Sequence, residues 1–94
     1  MNTTLSIKNV EKISKALGDP YRLKIMEAVK KQDWMPCCEI LAMIDLAQST
    51  VSHHIKQLVD AELLIGDKDG RAMRYTVNKE VVTEYVNFLN PLKA

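Results

Sequence analysis

Apolar residues recur at helical spacing from the start of the chain. Val10, Ile13 and Leu17, preceded by Ile7, form one stripe, with Lys8, Glu11, Lys12 and Lys15 off it. Gly18 ends this pattern. Asp19–Pro20 opens the next helix with a side-chain acceptor at the N-cap and proline at the first helical position. That helix, predicted from Pro20 to about Lys31, sets Tyr21, Ile25, Ala28 and Val29 on one face, while Leu23 and Met26 lie off it and imply contacts on two sides. The chain then turns around Trp34–Met35–Pro36, through a short strand. A third helix is predicted from Cys37 to Ile44, with Glu39 in the first turn where the helix dipole favours an acid. After the break "DLAQ" a fourth helix follows, with Ser49 as N-cap, to about Ala61. Two short helices joined so tightly read as a helix-turn-helix.

Beyond Ala61 the period changes from helical to alternating. "LLIGDKDGRAMRYTV" contains Asp69–Gly70, a strong two-residue hairpin signal, and Met73, Tyr75 and Val77 alternate with Ala72, Arg74 and Thr76. With Asp69–Gly70 as the loop, Lys68 and Arg71 become directly opposed, and two like charges so placed are destabilising without an anion nearby. A last helix after Asn78 is expected to bury Val82, Tyr85, Val86 and Leu89 at helical spacing, and Pro91 ends it. The predicted fold is therefore mostly α with one β-hairpin, in the order α-α-short β-α-α-hairpin-α. Residues 1–94 form a single domain.

Composition narrows the function. An apolar fraction of 47% and a charged fraction of 27% are ordinary for a globular protein. No apolar run approaches the ~18 residues of a membrane span. The first residues lack the layout of a signal peptide, so a cytoplasmic protein with no membrane association is expected. Net charge is only +1, yet residues 1–31 hold seven Lys/Arg against three acids. Residues 32–48 hold three acids and no base, and the rest balance at six against six. A nucleic-acid binder needs its positive charge gathered on one surface rather than a basic total, so charge alone leaves the matter open. No glycine-rich phosphate loop, nucleophile–histidine arrangement or paired carboxylates appear. An enzyme is not expected.

Adjacent pairs Cys37–Cys38 and His53–His54 raise the question of a metal. Neighbouring Cα atoms lie ~3.8 Å apart, below the ~4.4 Å usual for a disulfide, so bonding between the two cysteines would be strained. At ~100° per residue, Val51, Ile55, Leu58 and Val59 define the inward side of the fourth helix. His53 then falls almost opposite and His54 at the edge of the buried face. The imidazoles diverge, whereas a shared metal on a helix wants a spacing of three or four. Beside His53 stand Ser49, Thr50, Lys56 and Gln57, short hydrogen-bonding groups and one cation near a helix N-terminus. Such a face suits phosphates and base edges in the major groove, though most polar helix faces are merely solvated. The hairpin tip has its own bland reading, a solubilising turn partly neutralised by Asp67 and Asp69. Directly after a helix-turn-helix, it is better explained as a wing on the DNA backbone.

Three stretches carry a family resemblance along nearly the whole chain: "ALGDPYRLKIMEAV", "AQSTVSHHIKQLVDAELL" and "DGRAMRYTV". In that order and spacing the sequence resembles the ArsR/SmtB (arsenic-repressor) family of bacterial winged helix-turn-helix regulators. The resemblance implies a homodimer that binds a palindromic operator in double-stranded DNA, most simply as a repressor. By position it places Gln48, Ser49, Thr50, Ser52, His53 and Lys56 at the major groove, with helix 49–61 as the reader. Arg71 and Arg74, in a wing spanning 65–75, would meet phosphate or the minor groove. Ile7, Val10, Val82, Tyr85, Val86 and Leu89 would pack across the two-fold axis, although both stripes would equally serve the chain's own core.

The family's metal sites are not matched. Its third-helix ligand positions correspond to Pro36, Cys38 and Leu41, so only Cys38 coincides, and one thiolate falls short of the three or four ligands a zinc or arsenite site needs. The last-helix site needs Asp and His, and "NKEVVTEYVNFLNPLKA" has neither. No metal and no cofactor are therefore expected. Three readings of regulation stay open: Cys38 as a redox or electrophile sensor, an unmarked small-molecule or protein effector, or none at all. Inert buried thiols are the plain default for both cysteines. The rival to DNA binding is a winged-helix module that binds protein.

Overall fold

The computed structural model describes residues 5–93. Residues 1–4 and 94, part of the expected 1–94 domain and of the leader reading, lie outside the described residues, as does the side chain of Asp69. The chain folds as α1 (Ile7–Leu17), α2 (Pro20–Gln32), β1 (Met35–Pro36), α3 (Cys37–Met43), α4 (Gln48–Asp60), β2 (Leu64–Asp69), β3 (Ala72–Val77) and α5 (Lys79–Leu89), followed by a 3-10 turn, Asn90–Lys93.

Side chains start the first two helices. Ser6 caps α1, its hydroxyl accepting from the Asn9 N–H at 3.1 Å while the Asn9 carboxamide accepts from the Ser6 N–H at 3.3 Å. Asp19 caps α2 as expected, accepting from the Tyr21 and Arg22 N–H groups at 2.8 and 3.2 Å, with Pro20 at the first position. Asp33 ends α2 at φ 72, a left-handed conformation that Asp tolerates better than most residues.

The fourth helix starts differently from the sequence expectation. Ala47, not Ser49, is its N-cap, and no side chain caps it. The Ala47 carbonyl already accepts from Thr50 and Val51, so Ser49 lies inside the first turn with its hydroxyl outward. The other end is a Schellman motif: the Glu62 N–H reaches Val59 O and the Leu63 N–H reaches Leu58 O, both at 2.9 Å. Glu62 takes the left-handed position usually given to glycine, at φ 62.

Three antiparallel strands follow the order β1-β3-β2. Met35 pairs with Tyr75 and Pro36 with Arg74, so the proline occupies an outer strand where its missing N–H is harmless. In the hairpin the last pair is Asp69 with Ala72, and Lys68 faces Met73. The loop is therefore Gly70–Arg71, one residue beyond the sequence expectation. Lys68 and Arg71 are not opposed, so no like-charge pair stands across the strands at the tip. Gly70 sits at φ 67, and glycine alone enters that region without steric cost, which moves the turn onto it.

Ile13, Ile25, Val29, Ile40, Val51, Ile55, Leu58 and Leu63 form one core shared by α1 to α4 and the turn before β2. From β3 and α5, Tyr75, Val77, Val81, Val82 and Tyr85 pack on its margin. The sequence placed Val82, Tyr85, Val86 and Leu89 on one buried stripe, but α5 has no fully buried residue, and Val86 and Leu89 face outward at 53% and 39% exposure. On α1, Val10 is buried within the chain while Ile7 is 73% exposed. The Ser14 and Tyr85 hydroxyls share a hydrogen bond of 2.7 Å, tying α1 to α5. Among the described residues no helix is long and apolar enough to cross a membrane.

Candidate nucleic-acid interface

Burial fixes the orientation of α4. Val51, Ile55 and Leu58 are at or near zero exposure, so the opposite side must face outward. There Gln48, Ser49, Thr50, Ser52, His53 and Lys56 are all exposed. The Gln57 carboxamide donates to His53 Nε2 at 2.8 Å. An imidazole that accepts at Nε2 carries its proton on Nδ1 when neutral, so His53 keeps a donor for another acceptor. Lys56 meets Asp60 one turn on at 2.9 Å, and this bond, against slight burial and with the Lys56 and Lys12 charges, holds the Asp60 carboxyl below its ordinary value. Such an exposed pair yields readily to a phosphate.

His54 turns the other way. Arg22 Nη1 donates to its Nδ1 at 3.0 Å, Asp19 lies 4.0 Å off, and Tyr21 stacks on the ring at 5.9 Å between centroids. The same guanidinium donates through Nε to Ala16 O at 2.6 Å and through Nη2 to Lys15 O at 3.2 Å. One side chain thus closes the C-terminal carbonyls of α1 and anchors the recognition surface of α4 to α2. Sequence reasoning did not find this role for Arg22, because its three acceptors come from α1 and α4. The adjacent imidazoles take different partners. Among the described residues no group of three or more His, Cys, Asp or Glu is arranged to hold a metal.

Arg71 is exposed at the hairpin tip. Arg74, paired with it in the sequence expectation, is instead drawn to the sheet: its guanidinium lies 5.4 Å from the centre of the Trp34 ring and 4.0 Å from Asp67. A contact to DNA from Arg74 would compete with that stacking.

The cysteines separate as well. Cys37 is half-buried beside a cavity of about 320 Å³ between α4 and the sheet, with Ser52, Ile55, Met73 and Tyr75. Burial, and then the neighbouring Cys38, push its thiol above the ordinary value, so it remains protonated at neutral pH. Cys38, the sensor candidate, is exposed in the first turn of α3.

A helix-turn-helix with an outward polar reading face, backed by a three-stranded wing, defines a winged-helix transcriptional regulator that binds DNA. Residues 19–65 match the family described as bacterial regulatory protein, arsR family. The chain is 36% identical over 83 residues to an arsenical resistance operon repressor of Staphylococcus xylosus, covering 88% of this chain and 78% of that protein. It belongs to the arsR family of bacterial regulatory proteins. The fold is shared with the transcriptional repressor PagR of Bacillus anthracis (TM-score 0.71, 25% identity, 88% of this chain and 94% of that one). It is shared too with an ArsR-like regulator from Rhodococcus sp. RHA1 (TM-score 0.80, 16% identity, 92% and 80%).

Proposed function

We propose that the protein is a homodimeric cytoplasmic repressor that occupies a palindromic operator and so keeps polymerase from an overlapping promoter. The observation that carries this is the division of α4: an apolar ridge inward and Ser49, Ser52, His53 and Lys56 outward. The first turn of α4 enters the major groove, where Gln48, Ser49, Thr50 and Ser52 reach base edges or phosphates through short side chains. His53 donates to a base acceptor and Lys56 exchanges Asp60 for a phosphate. Arg71 rests on the backbone beside the half-site, and Arg74 supports the wing through Trp34. The dimer joins the exposed apolar residues of α1 and α5, Ile7, Val86 and Leu89, with Val82 and Tyr85 at the margin. Half-sites one helical turn apart, ~34 Å, match that symmetry. The arsenical resistance operon repressor and PagR, named as repressors, support the repressor reading.

The test is selection of duplexes from a random pool, followed by anisotropy titrations of the selected site across a salt series. A steep fall of affinity with salt and a symmetric consensus are expected. Arg71→Ala should weaken binding to all sequences alike and reduce the salt slope by about 1. No enriched sequence, or salt-independent retention, would mark the fold as a protein-binding module instead.

A further inference from the structure

Part of the basic surplus of residues 1–31 lies on α1. Along α1, Lys8, Lys12 and Lys15 fall within an arc of about 60° at 100° per residue, away from buried Val10 and Ile13 and with Lys12 about 40° from buried Ala16. Two of these lysines border a groove of about 410 Å³ between α1 and α4, whose other walls are Ala16, His53, Lys56, Gln57 and Asp60. The groove holds three ammonium groups against one carboxylate. Its α4 wall includes His53 and Lys56, the residues assigned to the operator. Lys12 and Lys15 are three residues apart, so they stand side by side and address one line rather than two faces. The cavity that adjoins the wing shares Lys56 with this groove but otherwise meets α4 at Ser52, Ile55 and Val59, about a quarter turn round the helix.

We infer that Lys12 and Lys15 form a second phosphate clamp, gripping the DNA backbone on the α1 side of α4 while the wing grips it at a separate point. This rests on the DNA-binding reading. The ligand is the sugar–phosphate strand of the duplex that α4 reads, taken without regard to base. Lysine suits the task because a flexible stem with a point charge follows a backbone, whereas fixed base geometry calls for bidentate groups. A DNA strand in the groove would draw Lys56 from Asp60 and leave the cations facing phosphate. α1 carries three lysines against one glutamate, so part of the basic surplus of residues 1–31 stands on a helix beside the reader although the chain's net charge is only +1.

The experiment compares wild-type protein with Lys12→Gln/Lys15→Gln and with the charge-matched control Lys30→Gln/Lys31→Gln at the far end of α2, each first shown folded by circular dichroism. Wild-type binding to the selected operator tests the DNA-binding reading by itself. If that holds, the α1 pair should shrink the slope of log affinity against log salt by about 2, with a loss of about 10- to 60-fold at 0.1 M salt and unchanged base preference. The α2 control should leave the slope within about 0.5 of wild type. An unchanged slope in the α1 pair, or an equal fall in both pairs, overturns the clamp: the first means the lysines are solvated, the second that only net charge matters.

Discussion

Arg22 offers the sharpest test of how the reading helix is held. Replacing it with methionine keeps an apolar stem of similar length and removes three hydrogen bonds, to Ala16 O at 2.6 Å, Lys15 O at 3.2 Å and His54 Nδ1 at 3.0 Å. A bond from a charged donor nets ~1.5–3 kcal/mol when well buried. Arg22 is half-buried, and the freed carbonyls can turn to water, so about 1 kcal/mol per bond is the better figure. The loss of a cation at the α1 C-terminus adds a few tenths. The total, about 3 kcal/mol, is a large share of the ~5–15 kcal/mol that holds a domain together. At ~4–8 °C per kcal/mol, Tm should fall by about 12–24 °C. Urea unfolding monitored by Trp34 fluorescence reads the change, and Lys24→Met on the exposed side of the same helix is the control, expected within about 0.5 kcal/mol. Arg22→Lys should recover only part, since one ammonium cannot span three acceptors. A loss below about 0.5 kcal/mol for Arg22→Met would refute the bracket.

Three further outcomes are expected. For Asp19, burial raises the carboxyl pKa, but the Arg22 and Tyr21 N–H groups and the Arg22 charge outweigh it and set the folded value below the ordinary 3.8. A depressed folded value gives stability that is full above the unfolded pKa and lost as pH falls through the folded one. Asp19→Asn should therefore be less stable than wild type at pH 7 in urea titrations, with the gap closing below about pH 4; a gap that persists at low pH would contradict this. Glu62→Gly relieves the left-handed residue of the α4 Schellman end and should raise stability by about 0.5–1 kcal/mol in the same assay, whereas a decrease would mean that the turn does not limit the fold. Val86→Asp, on a residue 53% exposed in the single chain, should leave secondary structure intact but give a monomer by sedimentation; a persistent dimer would move the interface elsewhere.

Local chemistry was readable in advance and tertiary contacts were not. The Asp19–Pro20 start, the inward ridge of α4 and the divergence of His53 from His54 follow from spacing and capping alone, and the structure has each. The start of α4 was misplaced because serine is a favoured cap, yet Ala47 takes the position and Ser49 faces outward. The hairpin register slipped by one because Asp–Gly is a common loop pair, while here the glycine alone needs positive φ and leads the turn. That Arg74 stacks on Trp34 was not readable, because only the folded sheet brings the two together. The charge excess of the first 31 residues was visible as a count. The position of Lys12 and Lys15 against α4 depends on how α1 packs, which no periodicity encodes.

The short bond between Ser14 and Tyr85 has a mechanical consequence. Helix α1 is fastened near its C-terminal end to α5 by that pair, and one to two residues further on to the reading helix through Arg22, which takes the Lys15 and Ala16 carbonyls and His54. If the chain pairs through α5 as proposed, a rotation of α5 would strain that hydroxyl contact or carry α1, its lysine row and the seat of His54 with it. In the proposed homodimer, a displacement of α5 would reach α4 through the Ser14–Tyr85 contact, α1 and the Arg22 side chain.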